Sequence, residues 1–373
     1  MTMRLLLDLL HIRKACNTGT VNASLDIITG FTTYTNWEIF LLIWEDQEDF
    51  IENAIGHGSQ KILVPVRMRA NFVKRRSLCP SLIKKQLADY QIDVVLTTCF
   101  THISFVYPQK YHQIGIIHDM QRIKLFLHNG QWLKGACLFF LSLIIYHFIP
   151  NLVTISNFVK RDVKKYVKRN SVVIYNSIKV SADEEEIITM KGNPYILDVN
   201  SFQKYKNAEN LVRAFSLIKD QIPHKLYLKG YAINIHQINE LANFVRDLGC
   251  EDRVVLDISN RTNAEMNYLY HHADLFVSPS LMEGFGLTPV EAALHKVPVI
   301  VSNIESLEEV SDGLFPTFDP NSVESIANTM LKVLQMPPSD DNLHQIAEHF
   351  KCKYSIEKQV QSYITLINKV VKA

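Results

Sequence analysis

From residue 195 onward, short runs of β-branched, aromatic and leucine side chains alternate with stretches whose apolar residues recur every three to four positions. The runs Tyr195–Val199, Lys225–Lys229, Arg253–Leu256, Leu275–Ser278, Val299–Val301 and Leu314–Phe318 read as strands. Helices are predicted between them, over Asn207–Lys219, Asn234–Leu248, Asn263–His272, Pro289–His295 and Ser322–Gln335. Strand and helix in alternation predict an α/β fold with a parallel sheet covered on both faces. Such sheets bind ligands at the C-terminal ends of their strands.

The first half repeats this plan less cleanly. Its strand candidates are Arg4–Leu9, Glu38–Ile43, Ile62–Val64, Asp93–Thr97, Ile114–His118, Leu152–Ile155 and Val172–Tyr175. The polar, acidic stretch Lys179–Asn193 reads as a linker, which places one domain at residues 1–178 and a second at 179–354. In the tail, Ile356, Val360, Tyr363, Ile364, Ile367 and Val371 share one helical face. A helix over 355–373 is therefore expected to pack back onto the first domain.

Composition narrows the class. A chain of 373 residues with 47% hydrophobic and 21% charged residues suits a two-domain globular enzyme. Its six cysteines are scattered without a C-x-x-C pair, which disfavours a disulfide scaffold or zinc site and fits a reducing cytoplasm. The first apolar run, Leu5–Leu10, is short and contains Asp8, so it reads as a strand and not as a secretory signal. The stretch Ala136–Ile149 is the most apolar, but it is too short to span a bilayer and reads as a buried or interfacial helix.

The net charge of +1 hides an asymmetry: residues 1–178 carry an excess of nine basic residues and the remainder an excess of eight acidic ones. Two clusters dominate. Residues 67–85 hold Arg67, Arg69, Lys74, Arg75, Arg76, Lys84 and Lys85, interleaved with Phe72, Leu78, Leu82 and Ile83. Residues 160–169 hold Lys160, Arg161, Lys164, Lys165, Lys168 and Arg169. Basic surface with apolar anchors suits an anionic lipid leaflet, so peripheral attachment to the inner membrane face is expected. A solvated basic face is the other reading. Nucleic acid is not expected as a partner, because no recognisable binding module accompanies the charge.

The most specific chemistry lies in SPSLMEGFGLTPVEAALHKVPVIV, residues 278–301. Glu283 and Glu291 stand eight residues apart with a glycine-containing turn between a strand and a helix. Glycines permit close backbone approach to a ligand, and a helix start offers free N–H groups to a diphosphate. With Pro289 opening the helix, Glu291 would sit in its first turn and accept hydrogen bonds from ribose hydroxyls.

This segment resembles the retaining glycosyltransferases of family 4, the group 1 glycosyl transferases. The resemblance extends to TISNFVKRDV (154–163), VVIYNSI (172–178), YILDVNSFQKYKNAENLVRAF (195–215), LYLKG (226–230), LEEVSDG (307–313) and FDPNSVESIANTM (318–330). IIHDMQ (116–121) is similar to the family's His-Asp element. The resemblance is good from about residue 112 and weak over 20–110. It implies a GT-B fold, two facing Rossmann-like domains around a central cleft. It also implies transfer of a hexose-type sugar from a UDP- or GDP-linked donor to a glycan or lipid-linked acceptor in surface polysaccharide synthesis. Retention of anomeric configuration, no metal and no cofactor beyond the nucleotide-sugar are implied as well.

By the same resemblance, Glu291 would bind the donor ribose and Glu283 the sugar hydroxyls. Lys206 would neutralise the diphosphate, and Gly286, Leu287 and Thr288 would offer backbone N–H groups. His118 would line the reaction centre, and Gly19 would lie in the glycine loop after the first strand. The plain readings are a solvated Lys206, a strand-end hydrogen bond at His118 and an ordinary turn at Gly19. The chain departs from the family at Asn200-Ser201, where Gly-Arg is usual, at Asn17-Thr18-Gly19-Thr20, which has one glycine where two are common, and at Lys296, where glycine is usual. Lys204 is the candidate to replace the missing arginine. Two other functions fit less well: a sugar-phosphate synthase with a soluble acceptor, and a non-catalytic glycan-binding protein on the same fold.

Overall fold

The structure is a computed structural model that describes residues 2–12, 19–55, 61–66, 87–100, 104, 106–120, 140–141, 143–180, 183–187, 192–231 and 235–372. The chain divides into two compact units, residues 1–177 with 354–373, and residues 178–353. Each is built on one parallel sheet.

The first unit contains β1 (Arg4–Asp8), α1 (Gly19–Tyr34), β2 (Glu38–Trp44), α2 (Glu48–Ile55), β3 (Lys61–Val66), β4 (Val94–Thr97), β5 (Ile114–Ile117), β6 (Asn151–Thr154), α3 (Asn157–Asp162) and β7 (Val172–Val173). The strand order is β3-β2-β1-β4-β5-β6-β7. Leu6, Phe40, Leu42, Trp44 and Val95 pack in one apolar cluster of the unit, and the Trp44 indole N–H donates to the Leu10 carbonyl at 2.8 Å. The basic stretch 67–85 lies outside the described residues apart from its flanks at 66 and 87. Residues 143–148 of the apolar stretch 136–149 are helical.

The C-terminal helix belongs to this unit. It is the last element of the chain, Ile356–Lys372, and it lies against α1. Gly30 makes that approach possible: a Cβ there would come within 2.2 Å of a Val360 methyl group and 2.8 Å of an Ile356 methyl group. Tyr363 is fully buried, with its ring 6.2 Å from that of Phe31. Gln359 ties the helix to the end of the first stretch of the unit, donating to the Tyr175 carbonyl and accepting from the Ser177 hydroxyl.

The second unit continues with β8 (Tyr195–Asn200), α4 (Ala208–Ile218), β9 (Lys225–Gly230), α5 (Ile235–Asp247), β10 (Val254–Asp257), α6 (Asn263–His271), β11 (Leu275–Ser278), α7 (Leu287–Leu294), β12 (Val299–Ser302), α8 (Glu305–Ser311), β13 (Thr317–Phe318), α9 (Val323–Gln335) and α10 (Asp340–Lys353). The order is β10-β9-β8-β11-β12-β13. Strands buried on both faces explain their unbroken apolar runs: Ile196, Leu226, Leu228, Leu275, Val277 and Ile300 share one core with Leu211, Val212 and Phe215 of α4 and Ile326 and Met330 of α9.

Chain order reverses beside β8, which pairs with β9 on one side and β11 on the other. At such a switch point the loops after the two central strands diverge to opposite faces and leave a crevice at the strand ends. The β8 loop and the β11 loop are the stretches that carry Lys206 and Glu283.

Several details differ from the sequence expectation, among them the strand expected over Val172–Tyr175, which ends at Val173. The last strand is only Thr317–Phe318, because Leu314–Pro316 make no ladder before it. Helix α7 begins at Leu287, two residues before Pro289. A proline is tolerated there because first-turn N–H groups have no intrahelical acceptor. Helices α8 and α10 were not anticipated. Among the described residues, no helix is long and apolar enough to cross a membrane.

Candidate functional site

In the second unit, three loops are stitched together at the C-terminal end of the sheet. After β8 the chain makes a short turn over Lys204–Lys206 and enters Asn207 in a left-handed conformation, φ +64°. The Asn207 amide then donates to the Pro279 carbonyl at 3.0 Å and to the Pro320 carbonyl at 2.8 Å. These bonds join the loops that follow β8, β11 and β13. The Leu281 N–H adds a third tie, to the Tyr205 carbonyl at 2.8 Å.

On this frame Lys206 Nζ reaches Glu283 Oε1 at 2.6 Å, with both side chains largely buried. The Ser280 hydroxyl donates to the same carboxylate oxygen at 2.8 Å. Burial works against the Lys206 ammonium, but the charge and hydrogen bond of Glu283, with Tyr205 and Asp198 nearby, outweigh it and hold its pKa above the ordinary lysine value. Lys204 is exposed on the same turn.

Gly286 caps α7 with φ +98°, a conformation that disfavours any side chain. A Cβ would also collide with Leu307 at 2.4 Å. Leu287 and Thr288 follow as the first two helical residues, so their N–H groups have no acceptor within the helix. Glu291 is the fifth residue of the helix and lies beyond its first turn, which corrects the sequence expectation. The helix dipole is therefore not what holds it. The buried Tyr270 hydroxyl donates to Glu291 at 2.7 Å. Burial raises the Glu291 pKa, and the Tyr270 hydrogen bond only partly opposes the rise.

The divergent Asn200-Ser201 pair is occupied locally. The Asn200 amide donates to Asp198, and its carbonyl oxygen accepts from the Phe202 N–H at 2.6 Å. The Ser201 hydroxyl accepts from Gln203 at 3.2 Å. Lys296 does take the left-handed conformation of a helix-ending glycine, φ +62°, and its N–H and that of Val297 satisfy the Ala293 and Ala292 carbonyls.

In the first unit, His118 follows β5 and is buried, with Nε2 2.8 Å from the Thr98 carbonyl. A carbonyl only accepts, so Nε2 carries the proton. Burial lowers the His118 pKa, more than the Thr98 hydrogen bond and Asp119 raise it. The ring is then neutral, with Nδ1 as its basic atom. Gly19 opens α1, and residues 13–18 before it lie outside the described residues.

Four groups escaped the sequence reading. Ser280 and Tyr270 hold the two glutamates. His11 stands near His118 and the Thr20 backbone, with Nε2 3.3 Å from the Ser24 hydroxyl, and burial drives its pKa down to about 3. Asp198 lies buried at the end of β8, beside Lys206. Only Ser280, three residues before Glu283, was within reach of a local pattern.

Burial pushes the Asp198 carboxyl up to about 8, against the opposing pull of Lys206 and Asn200. In the unfolded chain the same group ionises near pH 4 (about 3.9). Between these values the unfolded state holds fewer protons, so the contribution to stability is full at low pH and is lost as pH rises toward 8. Asp198→Asn removes this loss. Urea-unfolding midpoints should show the variant gaining on the parent by more than about 1 kcal/mol from pH 5 to pH 8. Parallel pH profiles would contradict the assignment.

Residues 179–350 match the family model "Glycosyl transferases group 1". The O-antigen chain mannosyltransferase RfbU of Salmonella typhimurium is 26% identical over 245 residues, which cover 64% of this chain and 65% of that one. Other curated mannosyltransferases match at 30% identity, but the aligned part spans only 17% of their length. Among solved structures, sucrose-phosphate synthase from Thermosynechococcus elongatus superposes with a TM-score of 0.77 at 16% identity, covering 99% of each chain. HepE of Anabaena in complex with UDP and glucose gives 0.71 at 14% identity, covering 98% of this chain and 100% of that one. At such identities the structures speak for the fold, which is GT-B. Residues 179–350 thus form a domain of the group 1 glycosyl transferase family.

Proposed function

We propose that the chain is a retaining glycosyltransferase that moves a hexose-type sugar from a nucleotide diphosphate-sugar, UDP- or GDP-linked, to a glycan or lipid-linked acceptor. The observation that carries this reading is the Lys206–Glu283 pair at the switch point, beside the α7 N-terminus. Glycosyl transfer builds positive charge at the anomeric carbon and negative charge on the departing diphosphate. The ammonium of Lys206 and the N–H groups of Gly286, Leu287 and Thr288 would meet that negative charge, so the reading needs no metal ion. Glu283 would hold the sugar hydroxyls, and Glu291 the ribose. Same-face attack, with the departing phosphate taking the acceptor proton, would retain configuration. The mannosyltransferase relatives favour mannose or a similar hexose and a role in surface polysaccharide synthesis.

Glu283→Gln keeps the shape of the side chain and removes its charge. In the presence of the nucleotide-sugar that binds, release or transfer of the sugar should fall about a hundredfold or more, since loss of positioning alone costs that much. Unchanged turnover would overturn the assignment, and absence of turnover in the parent with every donor would favour a glycan-binding protein.

Attachment to the cytoplasmic face of a membrane belongs to the same reading. Its support is a pairing of basic and apolar surface. Lys160, Arg161, Lys164, Lys165 and Lys168 are exposed along α3 and the turn that follows. Phe140, Ile144 and Phe148 are 61%, 54% and 65% exposed at four-residue spacing, which sets them on one helical face. Arg169 joins the two features, donating to the carbonyls of Tyr146, Ile149 and Pro150 at 2.8–3.2 Å. The protein should co-sediment with vesicles containing anionic lipid and release at high salt. Equal, negligible sedimentation with anionic and neutral vesicles would contradict attachment.

A further inference from the structure

Helix α6 ends in two adjacent histidines, His271 and His272, and both turn toward one carboxylate. His271 Nδ1 hydrogen-bonds one oxygen of Glu184, and His272 Nε2 lies 3.4 Å from the other. One potential ligand atom from each of the three residues falls within 4.8 Å of the others. Four-coordinate zinc binds imidazole nitrogen and carboxylate oxygen at about 2.0–2.2 Å, which sets neighbouring ligand atoms roughly 3.3 Å apart. The His272–Glu184 separation is already close to that spacing. Small side-chain rotations would bring the third atom to it.

The three groups are held by different means. Glu184 is fixed through its neighbours: the Glu185 N–H donates to the Ala264 carbonyl at 3.2 Å, and the Asn267 amide donates to the Asp183 carbonyl at 2.7 Å. The chain over 183–185 is thereby laid along α6. The His272 ring rests against the Tyr268 ring at 4.2 Å between centroids, and the His271 ring stands 6.4 Å from that of His295. Solvent still reaches the cluster, since the side chains of His271, His272 and Glu184 are 58%, 49% and 29% exposed. An ion can enter, and water can complete its shell.

We propose that Glu184, His271 and His272 form a binding site for a divalent transition-metal ion of the zinc class, which pins the segment 183–185 to the end of α6. Two imidazole nitrogens and one carboxylate oxygen suit zinc or a neighbouring first-row ion, and do not suit calcium or magnesium, which prefer all-oxygen shells. The site shares no residue with the donor-binding set of Glu283, Lys206 and Glu291. It therefore stands or falls independently of the transferase reading.

The test is equilibrium dialysis of the untagged full-length protein against zinc, together with its melting temperature with and without the ion. About one equivalent should bind saturably and raise the melting temperature. The double variant His271→Ala/His272→Ala and the single variant Glu184→Gln should each lose affinity about tenfold or more, because even groups behind the ligands contribute on that scale. A second measurement needs no variant: zinc should protect His271 and His272 from carbethoxylation, as read by peptide mass spectrometry, while calcium should not. Absence of saturable zinc binding, equal binding by the parent and the double variant, or unprotected His271 and His272 would each overturn the site.

Discussion

The ion pair between Lys206 and Glu283 gathers the second unit's site into one place. Its partners leave the sheet from β8 and β11, strands whose connections run to opposite sides of the switch point. Nothing in the strand order alone would bring their loops into contact. The Asn207 amide does so, because one side chain satisfies carbonyls on two loops while its own backbone turns left-handed. A largely buried charge pair is stable only when each charge keeps its partner and its hydrogen bonds. Ser280 supplies one of those bonds. A site held this way is organised around charge before any ligand arrives, which is the condition for stabilising charge that develops during a reaction.

Glu291 illustrates a different solution eight residues later. It sits too far along α7 for the helix terminus to hold it, and Tyr270, from the neighbouring helix, does so instead. The ring of Tyr270 stacks on His295 at 5.4 Å, so the same tyrosine packs against one end of α7 and orients a carboxylate inside it. Gly286 completes the arrangement from the other end. Its positive φ lets the backbone turn from the Glu283 loop into the helix within three residues.

Much of this was legible in the sequence because buried parallel strands write themselves as unbroken apolar runs. Tyr195–Asn200, Leu275–Ser278 and Val299–Ser302 are examples, and the spacing of the two glutamates around a glycine turn is equally local. What was not legible depends on contacts distant in sequence or on weak amphipathicity. Helix α10 buries only Ala347 and Phe350, so its apolar face is too thin to stand out. Leu314 looks like strand but is 41% exposed and makes no ladder. Tyr270 and Asn207 act on partners 21 to 113 residues away, and no local pattern announces them. Asp198 is apolar strand by position and carboxylic acid by composition, and only burial beside Lys206 gives it meaning.

In the proposed function, the frame built by Asn207, Lys206 and Glu283 receives a nucleotide diphosphate-sugar. The most direct measurement is a melting-temperature panel of the intact protein with UDP-, GDP-, ADP- and dTDP-sugars, since a ligand that binds only the folded state must raise the transition. One class of nucleotide should raise it in a concentration-dependent manner. If none of the four does so at saturating concentration, the claim is contradicted.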